Sequence, residues 1–204
     1  MLVFSEYQTD TIDLALDFYG YEDCPKNYEF GPSVRDNFVL HFVTKGKGVF
    51  HFNKKEIHLE AGDLFLLPKN KVTYYKADAE EPWSYYWIGI SGTKVSDFMR
   101  FSTLHEKGFL KKTEVETEKI GQFMERLVHK AEASKMTSHY QLHLLSQIYE
   151  LLFLISEVAP DIHRSYPSPT YQLYLTCKHM IETHYNKEHL SIQEIADDLN
   201  VHRS

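Results

Sequence analysis

The chain has 204 residues, of which 43% are hydrophobic, so it is long and apolar enough to form one or two domains with a full core. Acidic residues outnumber basic ones by 29 to 22, which gives a formal net charge of −7. Domains that bind nucleic acid by themselves usually carry an excess of Lys and Arg, because they must neutralise phosphates. The charge therefore argues against DNA binding by this chain alone.

The sequence also indicates a compartment. Cys24 and Cys177 lie far apart and have neither a metal-binding nor a redox spacing. The first residues carry acidic groups and lack the positively charged segment of a secretory signal. Apolar runs stay well short of the ~18–20 residues that a membrane span needs. We therefore expect a cytoplasmic protein without a membrane segment.

The first half of the chain is typical of an antiparallel β structure. Short runs rich in Val, Ile, Phe and Tyr follow one another closely and are separated by Gly, Pro and Asn. These runs are 38–46, 48–53, 55–63, 64–70, 71–78 and 84–92. In the second and third runs apolar and polar residues alternate, which predicts strands with one buried face. We expect an antiparallel barrel or sandwich over residues 1–97.

The hydrophobic period lengthens after residue 98, which predicts helices at 114–130 and 138–158. The second helix has apolar residues at alternating four- and three-residue steps, at Leu144, Ile148, Leu151 and Ile155. This spacing suits packing on the chain's own barrel and equally a seam with a second copy. Both alternatives remain open, and we take residues 98–160 as a dimerisation segment with these four side chains in the interface.

The C-terminal part begins with a predicted linker at 161–170, where two prolines in Tyr166-Pro167-Ser168-Pro169 disfavour helix. A helix is expected over 171–185. Ser191 followed by Glu194 predicts a capping box, so the next helix starts after Ser191, and Asn200 is a candidate left-handed C-cap. Helix, tight turn and the start of another helix fit either a helix-turn-helix or an ordinary helical hairpin.

Two stretches resemble the AraC family of bacterial transcription regulators. LSIQEIADDLNVHRS at 190–204 is similar to the first helix-turn-helix of that family. The matching positions are Leu190, Ser191, Ile192, Ile195, Ala196 and Val201, while His202 stands where the family commonly has serine. HFVTKGKGVFHFNKKEIHLEAGDLFLLPKNKVTYY at 41–75 resembles the small cupin barrel of the family's sensor domain, with its Gly-x-Gly turn, Gly-Asp turn and strand-ending proline.

The resemblance implies an α+β chain in a definite order. A cupin-like antiparallel β-barrel that binds the effector (1–97) precedes the helical dimerisation segment (98–160) and the linker (161–170). The start of the helical DNA-binding domain (171–204) comes last, and Arg203 and Ser204 would open the helix that contacts DNA. Because this helix only begins there and the chain is acidic, we expect no specific DNA binding by residues 1–204 at physiological salt.

The SYYWIGISG run, with Pro82-Trp83 before it, looks most like the members that control oligosaccharide utilisation in Gram-positive bacteria, including raffinose-type α-galactosides. The resemblance implies the effector-sensing and dimerisation part of a transcription activator for sugar-utilisation genes. Its implied partners are a sugar effector, a second copy of the chain, promoter DNA through the C-terminal domain, and RNA polymerase.

An aromatic cluster in the predicted barrel suggests where such a sugar binds. Aromatic rings stack on the C–H faces of sugars, and polar side chains bind the hydroxyls. Tyr85 and Trp87 share one face of a strand, whereas Tyr86 points to the other. By resemblance to the family's sugar sensors, Tyr75, Tyr85 and Trp87 match pocket positions, and Arg35 and His41 complete the expected ligand set. Plain core packing for the rings and a surface position for Arg35 remain alternatives.

A metal-dependent cupin enzyme, such as a sugar isomerase or dioxygenase, is the alternative function. Such enzymes hold a first-row metal with a His-x-His pair, a Glu and a later His. His51 and Glu56 fit two of these positions, but Asn53 replaces the second histidine, and Thr73 or Tyr74 replaces the last. With two of four ligands missing, we expect no metal, no cofactor and no catalytic residues. A dimerising cupin without a ligand is a third interpretation.

Overall fold

The computed structural model describes residues 2–6, 12–133, 138–162, 169–186 and 190–202. Contacts between Cα atoms divide the chain into two compact units, residues 1–161 and 162–204. Residues 163–168 of the expected linker, and Arg203 and Ser204 of the expected DNA-binding helix, lie outside the described residues. Within the described part, no helix is both long enough and apolar enough to cross a membrane.

Almost all of the strands precede the helices in the sequence. The strands are β1 (Leu2–Glu6), β2 (Ala15–Asp23), β3 (Glu29–Val34), β4 (Phe38–Lys45), β5 (Lys47–Phe52), β6 (Lys55–Glu60), β7 (Leu64–Leu67), β8 (Val72–Ala77), β9 (Ser84–Ser91) and β10 (Phe109–Leu110). The helices are α1 (Val95–Met99), α2 (Leu104–Lys107), α3 (Thr117–Ala133), α4 (Ser138–Val158), α5 (Pro169–His184) and α6 (Ile192–Asp198). The six strands predicted between residues 38 and 92 are all present, so the predicted α+β class is confirmed.

The strands form two antiparallel sheets rather than one closed barrel. The first sheet has the order β1-β2-β9-β4-β7-β10, and the second has the order β3-β8-β5-β6. Their inner faces share one buried cluster, to which β4, β7 and β9 contribute from the first sheet and β5, β6 and β8 from the second. The described strands show no ladder joining the two sheets, so the cupin-like barrel is a sandwich whose sheets pack face to face.

Two features of the sheets were not predicted. Strands β1, β2 and β3 lie in residues 2–34, where polar residues such as Asp17 and Glu22 interrupt the apolar pattern. Strand β10 joins the first sheet at β7, so the sheet continues past residue 97, where the sequence suggested that the barrel would end.

Helices α3 and α4 cover the outer face of the first sheet. They share a second buried cluster with side chains of β2, β4 and β9. The four residues expected in the dimer seam belong to this cluster and are at most 2% exposed: Leu144, Ile148, Leu151 and Ile155. The expected seam is therefore corrected, because these side chains already fill the core of their own chain. The opposite side of α4 exposes Leu142, Tyr149 and Phe153.

The second unit contains α5 and α6. Ser191 accepts a hydrogen bond from the Glu194 backbone N–H, and Glu194 accepts one from the Ser191 backbone N–H, which confirms the predicted capping box. The C-cap is Leu199 rather than the expected Asn200; Asn200 follows it with the predicted left-handed conformation, at a φ of 52°. The Val201 N–H then donates to the Ala196 carbonyl at 2.9 Å. The chain thus turns sharply after α6.

The close packing of α3 on the first sheet generates a test. Gly121 faces the sheet, and a Cβ atom at this position would overlap the ring of Phe42. We expect Gly121→Val to lower the free energy of unfolding by about 1–3 kcal/mol, because overpacking forces the helix and the sheet apart. Denaturant unfolding followed by circular dichroism measures the loss. Gln122→Val, which adds the same side chain at the neighbouring exposed position, is the control, and equal losses in both variants would contradict the packing argument.

Candidate ligand pocket

A cavity of about 360 Å³ lies between the inner faces of the two sheets. Its lining includes all five residues expected to bind ligand, Arg35, His41, Tyr75, Tyr85 and Trp87. The other lining residues are Phe18, Glu22, Tyr28, Phe30 and Val39. The structure therefore brings the five residues together, and their role in binding remains a prediction.

Strand alternation places the aromatic wall of this cavity. Tyr85 and Trp87 point inward from β9, whereas Tyr86 between them lies in the cluster under the helices. The rings of Tyr85 and Trp87 meet nearly at right angles, with centroids 5.9 Å apart, and Tyr75 meets Tyr85 in the same way at 6.0 Å. Such edge-to-face contacts hold the rings in fixed positions.

A chain of hydroxyl groups runs along this wall to a carboxylate. The hydroxyl of Tyr85 donates to Glu22 Oε2 at 3.1 Å and lies 3.2 Å from the hydroxyl of Tyr75. Burial raises the pKa of both tyrosines well above the ordinary value, so both stay protonated. The two hydroxyls and the Glu22 carboxylate therefore form one connected hydrogen-bond network.

Arg35 is packed at the cavity rather than extended into solvent. Its guanidinium lies over the ring of Phe30, 4.7 Å from the centroid, and 5.8 Å from that of Phe18. These cation–π contacts hold the group in place. Its Nε atom is buried and has no hydrogen-bond partner among the described residues.

His41 is an uncharged polar group in the same cavity. Burial, followed by the positive charge of Arg35, lowers the pKa of His41 to about 3, so the ring is neutral at pH 7. It stacks on Phe65, with centroids 4.4 Å apart. Its Nδ1 atom is buried without a hydrogen-bond partner in the described part of the chain.

Sequence reasoning missed several lining residues, above all Glu22. It lies on β2, which was not predicted, and it is paired across the sheet with Tyr85. The alternation of Phe18, Gly20 and Glu22 in this segment is the signal that could have indicated an inward-facing carboxylate. Tyr28 and Phe30 alternate with the polar residues Asn27 and Glu29, which is the same kind of signal over a shorter stretch.

The residues considered as remnants of a cupin metal site lie elsewhere. His51 and Glu56 are paired on the outer face of the second sheet, with His51 Nε2 3.8 Å from Glu56 Oε2. The inward positions of β5 are occupied by Phe50 and Phe52. The residues that the structure describes include no group of three His, Cys, Asp or Glu side chains arranged to hold a metal ion.

Residues 15–152, which include every lining residue of the cavity, match the family model of the AraC-like ligand binding domain. The chain belongs to this family. The AraC-like chain is 34% identical to the Msm operon regulatory protein of Streptococcus mutans over 203 residues, which cover 99% of this chain and 72% of that protein.

Two further relatives of the AraC-like chain are also named as operon regulators. It is 26% identical to the lactose operon transcription activator of Staphylococcus xylosus over 204 residues, 100% of this chain and 72% of that protein. It is 40% identical to the raffinose operon transcriptional regulatory protein of Pediococcus pentosaceus over 100 residues, 48% of this chain and 36% of that protein. The predicted family and its sugar-operon subgroup are confirmed.

The low pKa of His41 makes the stability of the AraC-like domain depend on pH. Below the ordinary histidine pKa of about 6.5, the unfolded chain takes up a proton at His41 that the folded chain does not, so stability falls as the pH falls toward 3. His41→Phe removes this contribution. Between pH 6 and pH 4 the wild type should therefore lose up to about 1.4 kcal/mol per pH unit relative to the variant.

Urea unfolding at several pH values measures this difference. His58→Phe serves as the control, because His58 lies exposed on the outer face of the second sheet and its ring is solvated in both states. Parallel stability curves for wild type and His41→Phe would contradict the assignment of His41 as a neutral buried group.

Proposed function

We propose that the protein is the effector-sensing part of a transcription regulator of sugar-utilisation genes and that it binds a sugar between its two sheets. The observation that carries this proposal is the convergence of Tyr85, Trp87, Arg35 and His41 on one cavity within the AraC-like ligand-binding region. The relatives are named as regulators of the Msm, lactose and raffinose operons, which supports a sugar as the effector.

The lining suits the two parts of sugar recognition. Trp87 offers a ring against which the C–H face of a pyranose can stack, and the buried Tyr85 holds that ring by an edge-to-face contact. Arg35, His41 and Glu22 are the residues of the lining with charged or imidazole side chains, which can form hydrogen bonds with hydroxyl groups. A few polar groups in a mainly aromatic cavity are typical of small-molecule sites.

The named relatives and the second unit support a more specific proposal about the effector, the target genes and DNA binding. We propose that the effector is an oligosaccharide, with α-galactosides as one candidate class, and that the protein activates its target genes in the cytoplasm. Promoter DNA would be bound through the helix-turn-helix region that begins with α6, and RNA polymerase would be contacted from the same complex.

Regulation rather than catalysis is favoured by the position of the polar groups. A cupin enzyme would need metal ligands inside the sandwich, and the two candidate ligands, His51 and Glu56, lie on its outer face. The cavity itself presents aromatic rings, one arginine, one carboxylate and one neutral histidine. We therefore propose that the protein is not an enzyme and needs no cofactor.

We also propose a homodimer, through the exposed side of α4 rather than the buried one. Leu142, Tyr149 and Phe153 are 71%, 47% and 61% exposed and recur at seven- and four-residue steps along one side of the helix. A stripe of large apolar side chains on a helix surface is typical of a partner contact.

A thermal-shift screen of mono-, di- and trisaccharides tests the sugar proposal. A ligand that binds only the folded state raises the melting temperature. For any sugar that does so, Trp87→Leu should abolish the shift, because leucine offers no ring face. Trp83→Leu is the matched control, since Trp83 is fully buried but does not line the cavity. A shift that persists in Trp87→Leu would argue against a site at Trp87, whereas a smaller shift in Trp83→Leu follows from the ring contacts of Trp83 with Tyr75 and Tyr85.

The dimer proposal is tested with Phe153→Glu. Introducing a charge into the exposed stripe should raise the dissociation constant of the dimer roughly tenfold or more, which corresponds to about 1.4 kcal/mol. Sedimentation or light scattering at several concentrations measures it. Val72→Glu, which changes a comparably exposed residue on the second sheet, should leave the dimer intact. Equal association of all three proteins would place the interface elsewhere. Leu151 is unsuitable for this test because it is buried.

A further inference from the structure

We propose that the cavity accepts neutral sugars and excludes acidic ones, and that Glu22 is the residue responsible for this selectivity. The inference rests on the proposed function, since it concerns the ligand of the same cavity. It adds a chemical class: polyhydroxylated molecules without a negative charge are bound, and uronic acids and sugar phosphates are not.

Glu22 is held in the cavity by its position in the sheet. It lies on β2 opposite Tyr85 of β9, so both side chains project from the inner face of the first sheet. Tyr85 occupies one carboxylate oxygen, Oε2, by donating its hydroxyl proton at 3.1 Å. Among the described residues, no group donates to the other oxygen, Oε1. A carboxylate only accepts hydrogen bonds, so Glu22 presents an acceptor to whatever fills the cavity.

The negative charge of Glu22 acts on the groups around it. It adds to the effect of burial in raising the pKa of Tyr28 and Tyr75, which both line the cavity. The field of this carboxylate therefore extends across the space that a ligand would occupy. An anionic ligand would experience the same unfavourable interaction that disfavours a tyrosinate there.

Arg35 supplies a positive charge and hydrogen-bond donors at the same cavity. It carries only hydrogen-bond donors, and its buried Nε has no partner among the described residues. Within the described part of the chain, no ion pair joins Glu22 to Arg35, so neither charge is neutralised by direct contact with the other. With His41 neutral and the tyrosines protonated, the formal charges of the lining add to zero.

A sugar hydroxyl is chemically suited to both Glu22 and Arg35. It donates a proton to Glu22, and its oxygen accepts one from Arg35. The carboxylate of a uronic acid or the phosphate of a sugar phosphate would be attracted by Arg35. It would still lie in the same cavity as the Glu22 carboxylate, to which an ionised acid cannot donate. Like charges in a partly buried site weaken binding, so the acidic ligand is rejected.

The test compares sugars that share a ring and differ in charge. Galactose is paired with galacturonic acid and galactose 6-phosphate, and glucose with glucuronic acid and glucose 6-phosphate, together with lactose, melibiose and raffinose. Calorimetric titration at pH 7 measures the dissociation constants. We expect at least one neutral sugar to bind and its acidic counterparts to bind at least about tenfold more weakly.

Glu22→Gln examines the cause of this preference. Glutamine keeps the size of the side chain, and its carbonyl can still accept from Tyr85. Its amide group donates where the free carboxylate oxygen accepted, so neutral sugars should bind more weakly, while acidic sugars lose a repulsion and gain a donor. The ratio of acidic to neutral affinity should rise about tenfold. Glu29→Gln is the matched control: Glu29 also accepts a tyrosine hydroxyl, from Tyr74 at 2.7 Å, but it does not line the cavity.

The outcomes separate this inference from the proposed function. Acidic sugars that bind the wild type as tightly as neutral ones would overturn the selectivity while leaving a sugar sensor in place. A preference that persists unchanged in Glu22→Gln would overturn the role of Glu22. If no neutral or acidic sugar binds the folded wild type, the proposed function fails together with the inference. The comparison on the wild type needs no variant and stands even if Glu22→Gln does not fold.

Discussion

The structure depends on two adjacent strands that are buried on both faces. Every residue of β9 from Ser84 to Ile90, and every residue of β4 from Phe38 to Val43, is buried. Alternate side chains therefore enter two different clusters, one shared with the second sheet and one shared with the helices. A strand of this kind needs a covering layer on each side, since an exposed face would leave a row of large apolar side chains in water.

This requirement explains why the expected dimer seam was wrong in detail. The hydrophobic period of α4 correctly indicated a helix with a broad apolar side, and its bounds were as predicted. The period could not indicate what covers that side, because Leu151 is equally apolar whether it packs on a second chain or on the first sheet. Once β4 and β9 require a cover, the side of α4 that carries Leu151 is used within the chain. The dimer contact that we propose therefore uses the exposed residues of α4, which the hydrophobic period does not emphasise.

The candidate site was predictable to the extent that it depends on one strand. Alternation in β9 correctly separated Tyr85 and Trp87 from Tyr86. The capping box of α6 was also predictable, because it too depends on residues that are close in sequence: Ser191 and Glu194 are three residues apart. The contact between Glu22 and Tyr85 could not be found in this way. Glu22 meets Tyr85 only because β2 pairs with β9, and 63 residues separate the two side chains in sequence. Long-range pairing of this kind follows from topology, which local periodicity does not contain.

The polar groups of the cavity have an energetic consequence for binding. A buried donor or acceptor without a partner costs about 1–3 kcal/mol, and Arg35 Nε and His41 Nδ1 are both without a partner among the described protein groups. The aromatic contacts of Arg35 and the neutral state of His41 reduce this cost but do not satisfy the hydrogen bonds. Both atoms are closed off by neighbouring protein groups, so a ligand recovers part of this cost only where the lining rearranges to expose them.

The same strand that lines the cavity also touches the helical layer. Tyr86 lies between Tyr85 and Trp87, and its hydroxyl is 3.3 Å from Glu125 Oε1 and 3.2 Å from His129 Nε2 on α3. Helix α3 in turn packs against α4. A ligand that binds more tightly to one position of β9 than to another shifts the strand toward that position, and Tyr86 moves with it because the three residues are consecutive. For the sugar that we propose to bind in this cavity, one strand separates the ligand from α3, and α3 contacts α4.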